Sequence, residues 1–133
     1  GGEGLANRPG PGREGFPELP LGVPATPPPE VVEALRLCWK SGVGIPTLCR
    51  LRCIREEDRD LKRSFPDKLI LRYGEKTILL PKEAAAVILT WGYGAEDPFK
   101  KEDQPFIVRA AGEPIGISPA TLAGWLVEGS HAN

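Results

Sequence analysis

Proline and glycine are placed so unevenly along this 133-residue chain that folding is confined to its later part. Eight of the 15 prolines (Pro9, Pro11, Pro17, Pro20, Pro24, Pro27, Pro28 and Pro29) fall within the first 29 positions. So do seven of the 16 glycines (Gly1, Gly2, Gly4, Gly10, Gly12, Gly15 and Gly22). The apolar residues there, Leu5, Phe16, Leu19, Leu21 and Val23, are scattered. Such a segment cannot bury enough surface to offset its ordering entropy. The expectation is a disordered Pro/Gly-rich arm over 1–28, a single α+β domain over 29–129 and a flexible tail over 130–133. The prolines of Leu21–Pro29 favour polyproline II, suited to docking on aromatic grooves or to acting as a plain linker.

Beyond the arm the hydrophobic period changes along the chain. Val31, Val32, Leu35, Cys38 and Trp39 share one helical face, and Ser41-Gly42-Val43-Gly44 ends that helix. A second helix is expected to start at Pro46-Thr47, with Leu48, Leu51 and Ile54 facing inward. It would run on through the charged stretch Arg55–Arg63 until Phe65-Pro66-Asp67 breaks it. Over 68–80 the period becomes two. Leu69, Leu71 and Tyr73 alternate with Ile70 and Arg72, Gly74-Glu75-Lys76 turns, and Thr77–Leu80 returns, which is a β-hairpin. Pro81 precedes another helix with Ala84, Ala85, Val87, Ile88 and Trp91 inward, ended by Gly92-Tyr93-Gly94. Phe106-Ile107-Val108 fits a strand or a short helix, and periodicity does not decide between them. The expected elements are helices near 30–41, 46–63, 82–92 and 118–128, and a hairpin at 68–80. Two helices before a hairpin is the order of a winged helix.

Totals narrow the function classes. The formal net charge of −1 gives no overall field toward nucleic acid or membrane, so a nucleic-acid reader would need a local patch. No run of about 20 apolar residues is present to span a bilayer. An odd cysteine count without framework spacing, and no basic-then-apolar start, suit a reducing, cytoplasmic location.

Two segments point to chemistry. In the first, Val31–Ile54, the two helices around the Gly42–Gly44 turn resemble the amphipathic pair of winged-helix and transposase-type DNA binders. A tight turn in such a pair crosses the helices so that the second enters the major groove. On the expected 46–63 helix, Arg52, Arg55, Arg59 and Arg63 recur at three or four residues, with Lys62 beside them. Such a row suits phosphates and base edges. Lys76 would sit on the hairpin as a wing. Glu56, Glu57, Asp58 and Asp60 interleave with these arginines, and the competing reading is an ordinary solvated face.

The second segment is Ile115–Gly129. Ser118 suits a helix cap and Pro119 the first helical position, while Leu122, Trp125 and Leu126 form an apolar stripe. Gly116, Ser118, Pro119, Thr121, Leu122 and Trp125 resemble the turn and recognition helix of MerR-type regulators and phage excisionases. That resemblance implies a DNA-reading helix. Ala123 and Gly124 stand where that pattern carries an arginine, so the alternative is a docking helix that meets a protein partner, or a second copy, through Leu122, Trp125 and Leu126.

Other chemistry is thinly represented. Cys38, Cys49 and Cys53 with His131 would suit zinc by donor type, but structural zinc sites use paired short knuckles and only one short spacing occurs. With a single histidine near the end and no phosphate-binding glycine loop, no catalytic constellation forms. No cofactor, metal or small-molecule substrate is expected. The sequence thus points to a non-catalytic DNA-binding or transcription-associated module, with a protein-interaction or assembly module as the alternative.

Overall fold

The computed structural model describes residues 26–54 and 67–132, without the side chains of Phe99 and of 128–132. The arm over 1–25 and the Arg55–Pro66 stretch lie outside the described residues. Among the described residues, four helices and one antiparallel hairpin make up an α+β arrangement: α1 (Pro29–Lys40), α2 (Ile45–Arg50), β1 (Lys68–Tyr73), β2 (Lys76–Pro81), α3 (Lys82–Tyr93) and α4 (Pro119–Ala132). A short 3₁₀ turn spans Pro98–Lys101.

Helix α1 begins directly after the proline run. Pro29 occupies the first turn, where a missing N–H costs nothing, and the Pro28 carbonyl accepts from Val31 and Val32. Its inward face, Val31, Val32, Ala34, Leu35 and Cys38, packs on α3 and α4. Pro27 is already buried against the fold, so the folded part starts slightly before the expected boundary at 29.

The largest departure from expectation is α2. It ends at Arg50 instead of continuing to 63, because Leu51 turns to an extended conformation (φ −63°, ψ 140°). Leu48, Leu51 and Ile54 match a helical spacing, but non-helical, bridge-paired backbone wins over residues 51–54. Leu51 and Cys53 enter the main core, Arg52 faces out, and Ile54 packs with Ile70 in a separate apolar cluster. Backbone pairing fixes this choice. The Arg52 N–H donates to the Arg72 carbonyl and Arg72 N–H to the Arg52 carbonyl, both at 2.8 Å. On the other side Cys53 N–H donates to Gln104 O at 2.8 Å, and Phe106 N–H to Leu51 O at 2.9 Å. Residues 51–54 thus lie between β1 and 103–106.

The expected hairpin forms, with Leu69 opposite Leu80 and Leu71 opposite Ile78, but its turn is Gly74-Glu75 and not Gly74–Lys76, since Lys76 already pairs with Tyr73. Gly74 at φ +64° makes the tight reversal, a conformation that side chains with a Cβ adopt at a cost. Phe106, Ile107 and Val108 form neither a full strand nor a helix; they are core residues without regular structure, each 1% exposed.

Helix α3 extends one residue beyond the expected 92, to Tyr93. It closes at Gly94 in the left-handed region (φ +73°), whose N–H donates to Thr90 O at 2.8 Å. Helix α4 starts as its sequence dictates, with the Thr121 N–H donating to Ser118 Oγ at 3.2 Å. It continues to Ala132, so the tail expected to begin at 130 is helical up to that residue.

Candidate anion-binding surface

Extended backbone and strand alternation carry two arginines of this fold, Arg52 and Arg72, to one face. On β1, Leu69, Leu71 and Tyr73 turn to the main core, which sends Lys68, Ile70 and Arg72 to the opposite side. Arg52 sits directly across the antiparallel bridge from Arg72 and joins it there. The two guanidinium groups converge on one carboxylate. Arg72 Nη2 donates to Asp103 Oδ1 at 2.7 Å, Arg52 Nε lies 3.4 Å from the same oxygen, and Arg52 Nη2 donates to the Asp103 carbonyl. Asp103 holds φ +60°, a left-handed conformation that aspartate tolerates better than most side chains. Arg72 Nε is buried without a hydrogen-bond partner among the described residues.

Tyr93, packed against the main core, and Lys101 lie on the neighbouring Cys53 side of this segment. The Tyr93 hydroxyl donates to Pro105 O at 2.5 Å, and Lys101 Nζ stands 5.2 Å from the centre of its ring. Burial, reinforced by the Cys53 sulfur, pushes the Tyr93 phenol above its ordinary range against the pull of Arg52. It therefore serves as a neutral hydrogen-bond donor and ring platform. For Asp103, desolvation opposes ionisation, but the hydrogen bond from Arg72 and the charges of Arg52 and Arg72 outweigh it and hold the carboxyl below its usual value. Across 51–54, β1 and 93–106 the cations Arg52, Lys68, Arg72, Lys100 and Lys101 stand against the acids Glu96, Asp97, Glu102 and Asp103, a balance one charge positive in a chain of net charge −1. Exposed ion pairs of this kind add little to stability.

The residues singled out from sequence separate into three groups. Arg52 belongs to this surface, on an extended segment and not on a helix, and it is paired with Asp103. Arg55, Arg59, Lys62 and Arg63 lie outside the described residues, so the expected helical row has no described helix beneath it. Lys76 is exposed, immediately after the hairpin turn, opposite Tyr73.

The third group, Leu122, Trp125 and Leu126, is corrected. Their exposures are 0%, 3% and 3%, and all three join the core formed with α1 and α2 residues. Trp125 meets Trp91 edge to face, with centroids 6.3 Å apart and planes at 90°. The apolar stripe docks α4 onto this chain itself and leaves none of the three on the surface for a partner. Arg36 Nη2 adds a bond to Leu126 O at 3.3 Å.

Sequence reasoning missed Arg72, Tyr93, Lys101 and Asp103. The alternation of Ile70 and Arg72 against Leu69, Leu71 and Tyr73 was the available signal for Arg72. Nothing local marks Asp103 as the shared acceptor, since Arg52 and Arg72 lie far from it along the chain. The cysteines are apolar core residues. Burial pushes the Cys38 and Cys53 thiols up to about 12 and Cys49 to about 11, and no group of three or more metal-binding side chains assembles among the described residues. No described helix is long and apolar enough to cross a membrane. Comparison of the chain with family profiles, with curated proteins and with solved structures finds no match.

Proposed function

We propose that this chain is a non-catalytic nucleic-acid-binding module of the DNA-binding or transcription-associated class, contacting phosphates through the sheet face that carries Arg52 and Arg72. The observation that supports this reading is the cross-strand arginine pair on one carboxylate, with Lys101 over Tyr93 beside it. Two anchored guanidinium groups retain donors beyond those used by Asp103, and planar donor forks match phosphate oxygens.

The order helix, turn, helix, hairpin matches that of a winged helix, but α2 has six residues and rises only about 9 Å, too little to fill a major groove as a recognition helix. Backbone contact by the arginine face replaces it, with Lys76 as a wing element at the hairpin tip, on the Tyr73 side of the ribbon and not the Arg72 side. Recognition of this kind positions the chain on a duplex without reading base edges.

Fluorescence anisotropy with a labelled 20-base-pair duplex at 50 and 200 mM salt tests the proposal. Binding should weaken steeply with salt. Arg52→Ala and Lys76→Ala should each weaken it and flatten the log–log salt slope by about 0.9 for each phosphate no longer neutralised. Lys82→Ala, at the start of α3 beside Glu83, should leave it unchanged. Absence of binding at 50 mM salt, or equal effects from all three substitutions, would overturn the reading.

A further inference from the structure

Three carboxylates from three different segments, Glu30 at the start of α1, Glu83 on α3 and Glu96 beyond its end, border an open groove of about 720 Å³. Its floor is apolar. Val87 and Trp91 stand one helical turn apart on α3 with Ala86 and Thr90 beside them, and Val87 is 37% exposed. Its rim is acidic, with Glu30, Glu83 and Glu96 against the single lining cation Lys82.

We propose that this groove docks a cationic amphipathic helix of a protein partner, an interaction separate from nucleic-acid contact. Two features define the occupant. From Lys82 to Trp91 the groove runs about 13–14 Å, the length of two to three helical turns. The small Ala86 near its middle lets a second helix approach to the usual separation of about 8–10 Å between axes. An apolar stripe at i, i+3 and i+4 would cover Val87 and Trp91, and flanking Lys or Arg would meet the three carboxylates.

The chain's own arm has the wrong chemistry for this role. Residues 1–25 carry Arg8 and Arg13 against Glu3, Glu14 and Glu18, with Pro9, Pro11, Pro17, Pro20 and Pro24 interrupting any helix. The described cations of the sheet face sit around Tyr93 and not along an amphipathic helix, so a second copy does not offer that complement there either.

Calorimetric titration of the full chain with a 14-residue Leu/Lys peptide, its leucines at heptad spacing, tests this at 50 mM salt. An isomer of identical composition but scrambled order separates shape from charge. The amphipathic peptide should bind at least about tenfold tighter than the scrambled one, the equivalent of covering one valine-sized side chain. Val87→Ser should remove most of that preference, and Glu83→Gln should weaken both peptides. Both positions are exposed, which spares the core, and Glu33→Gln outside the groove serves as the control. Equal binding of the two peptides, or insensitivity to Val87→Ser, would overturn the proposal. So would sedimentation showing self-association that Val87→Ser dissolves, since a second copy would then be the occupant.

Discussion

Replacing Trp125 tests whether α4 is core or docking surface. The side chain is 3% exposed and touches Trp91 edge to face at 6.3 Å. Truncating a buried tryptophan to alanine costs about 3–5 kcal/mol through lost transfer energy and the cavity left behind. Total stability of a domain is about 5–15 kcal/mol, so Trp125→Ala should bring this fold close to its limit. With a urea slope of about 2 kcal/mol per molar, the unfolding midpoint should fall by about 1.5–2.5 M.

Trp125→Phe separates packing from polarity. The Trp125 indole N–H is buried without a hydrogen-bond acceptor among the described residues. A donor left in that state costs about 1–3 kcal/mol. Phenylalanine removes the donor while keeping an aromatic ring against Trp91, so the smaller ring's packing loss is largely offset. The net change should stay within about 1.5 kcal/mol, well short of the alanine effect. Urea unfolding followed by far-ultraviolet circular dichroism measures both variants, and sedimentation velocity follows their oligomeric state. The reasoning is refuted if Trp125→Ala leaves the midpoint within about 0.3 M of the wild type, the more so if it changes association instead.

Four further outcomes are expected. Asp103→Asn keeps the left-handed backbone that asparagine also tolerates, removes the negative charge held between the two arginines, and should tighten duplex binding in the anisotropy assay; weaker binding would contradict an anion surface there. Because the folded Asp103 carboxyl is held low, its contribution to stability is present above the ordinary carboxylate value and disappears as pH falls through the folded one, so thermal unfolding of wild type and Asp103→Asn should differ at neutral pH and converge in acid. At pH 8 the three thiols, pushed to about 11 or 12, should react slowly with a disulfide reagent in the native chain, half-buried Cys49 first, and all rapidly in denaturant. Gly94→Ala should cost about 1–2 kcal/mol on unfolding, since nothing lies within 4 Å of the added carbon and only the positive φ is penalised.

Legibility follows the range of the interactions that decide each element. Helices α1, α3 and α4 and the hairpin rest on neighbours: the prolines before α1, Gly94 after α3, Ser118 at the start of α4, and Gly74 in the turn. Their outlines are readable for that reason. The segment after Arg50 is not, because Leu48, Leu51 and Ile54 satisfy both a helical spacing and a buried extended segment. The decision belongs to Arg72 and Gln104, remote in sequence from the residues they pair with. The arginine face shares this limit. Arg52 and Lys76 stand out as cations, yet the carboxylate that joins Arg52 to Arg72 comes from a loop with no motif of its own. The stripe on α4 is legible as apolar, and only three-dimensional packing assigns it to the interior of this chain.

The junction at Arg50–Arg52 also proofreads the assembly. A helix flows without a spacer into a ribbon bordered on both sides, so neither can slide independently. A slip of one position would invert the ribbon, driving the Arg52 guanidinium inward and bringing Leu51 and Cys53 out to water. An uncompensated charge in the interior is among the costliest errors a chain can make. Misaligned versions of this architecture are thereby rejected by a single cationic side chain, whatever it binds once the correct alignment is reached.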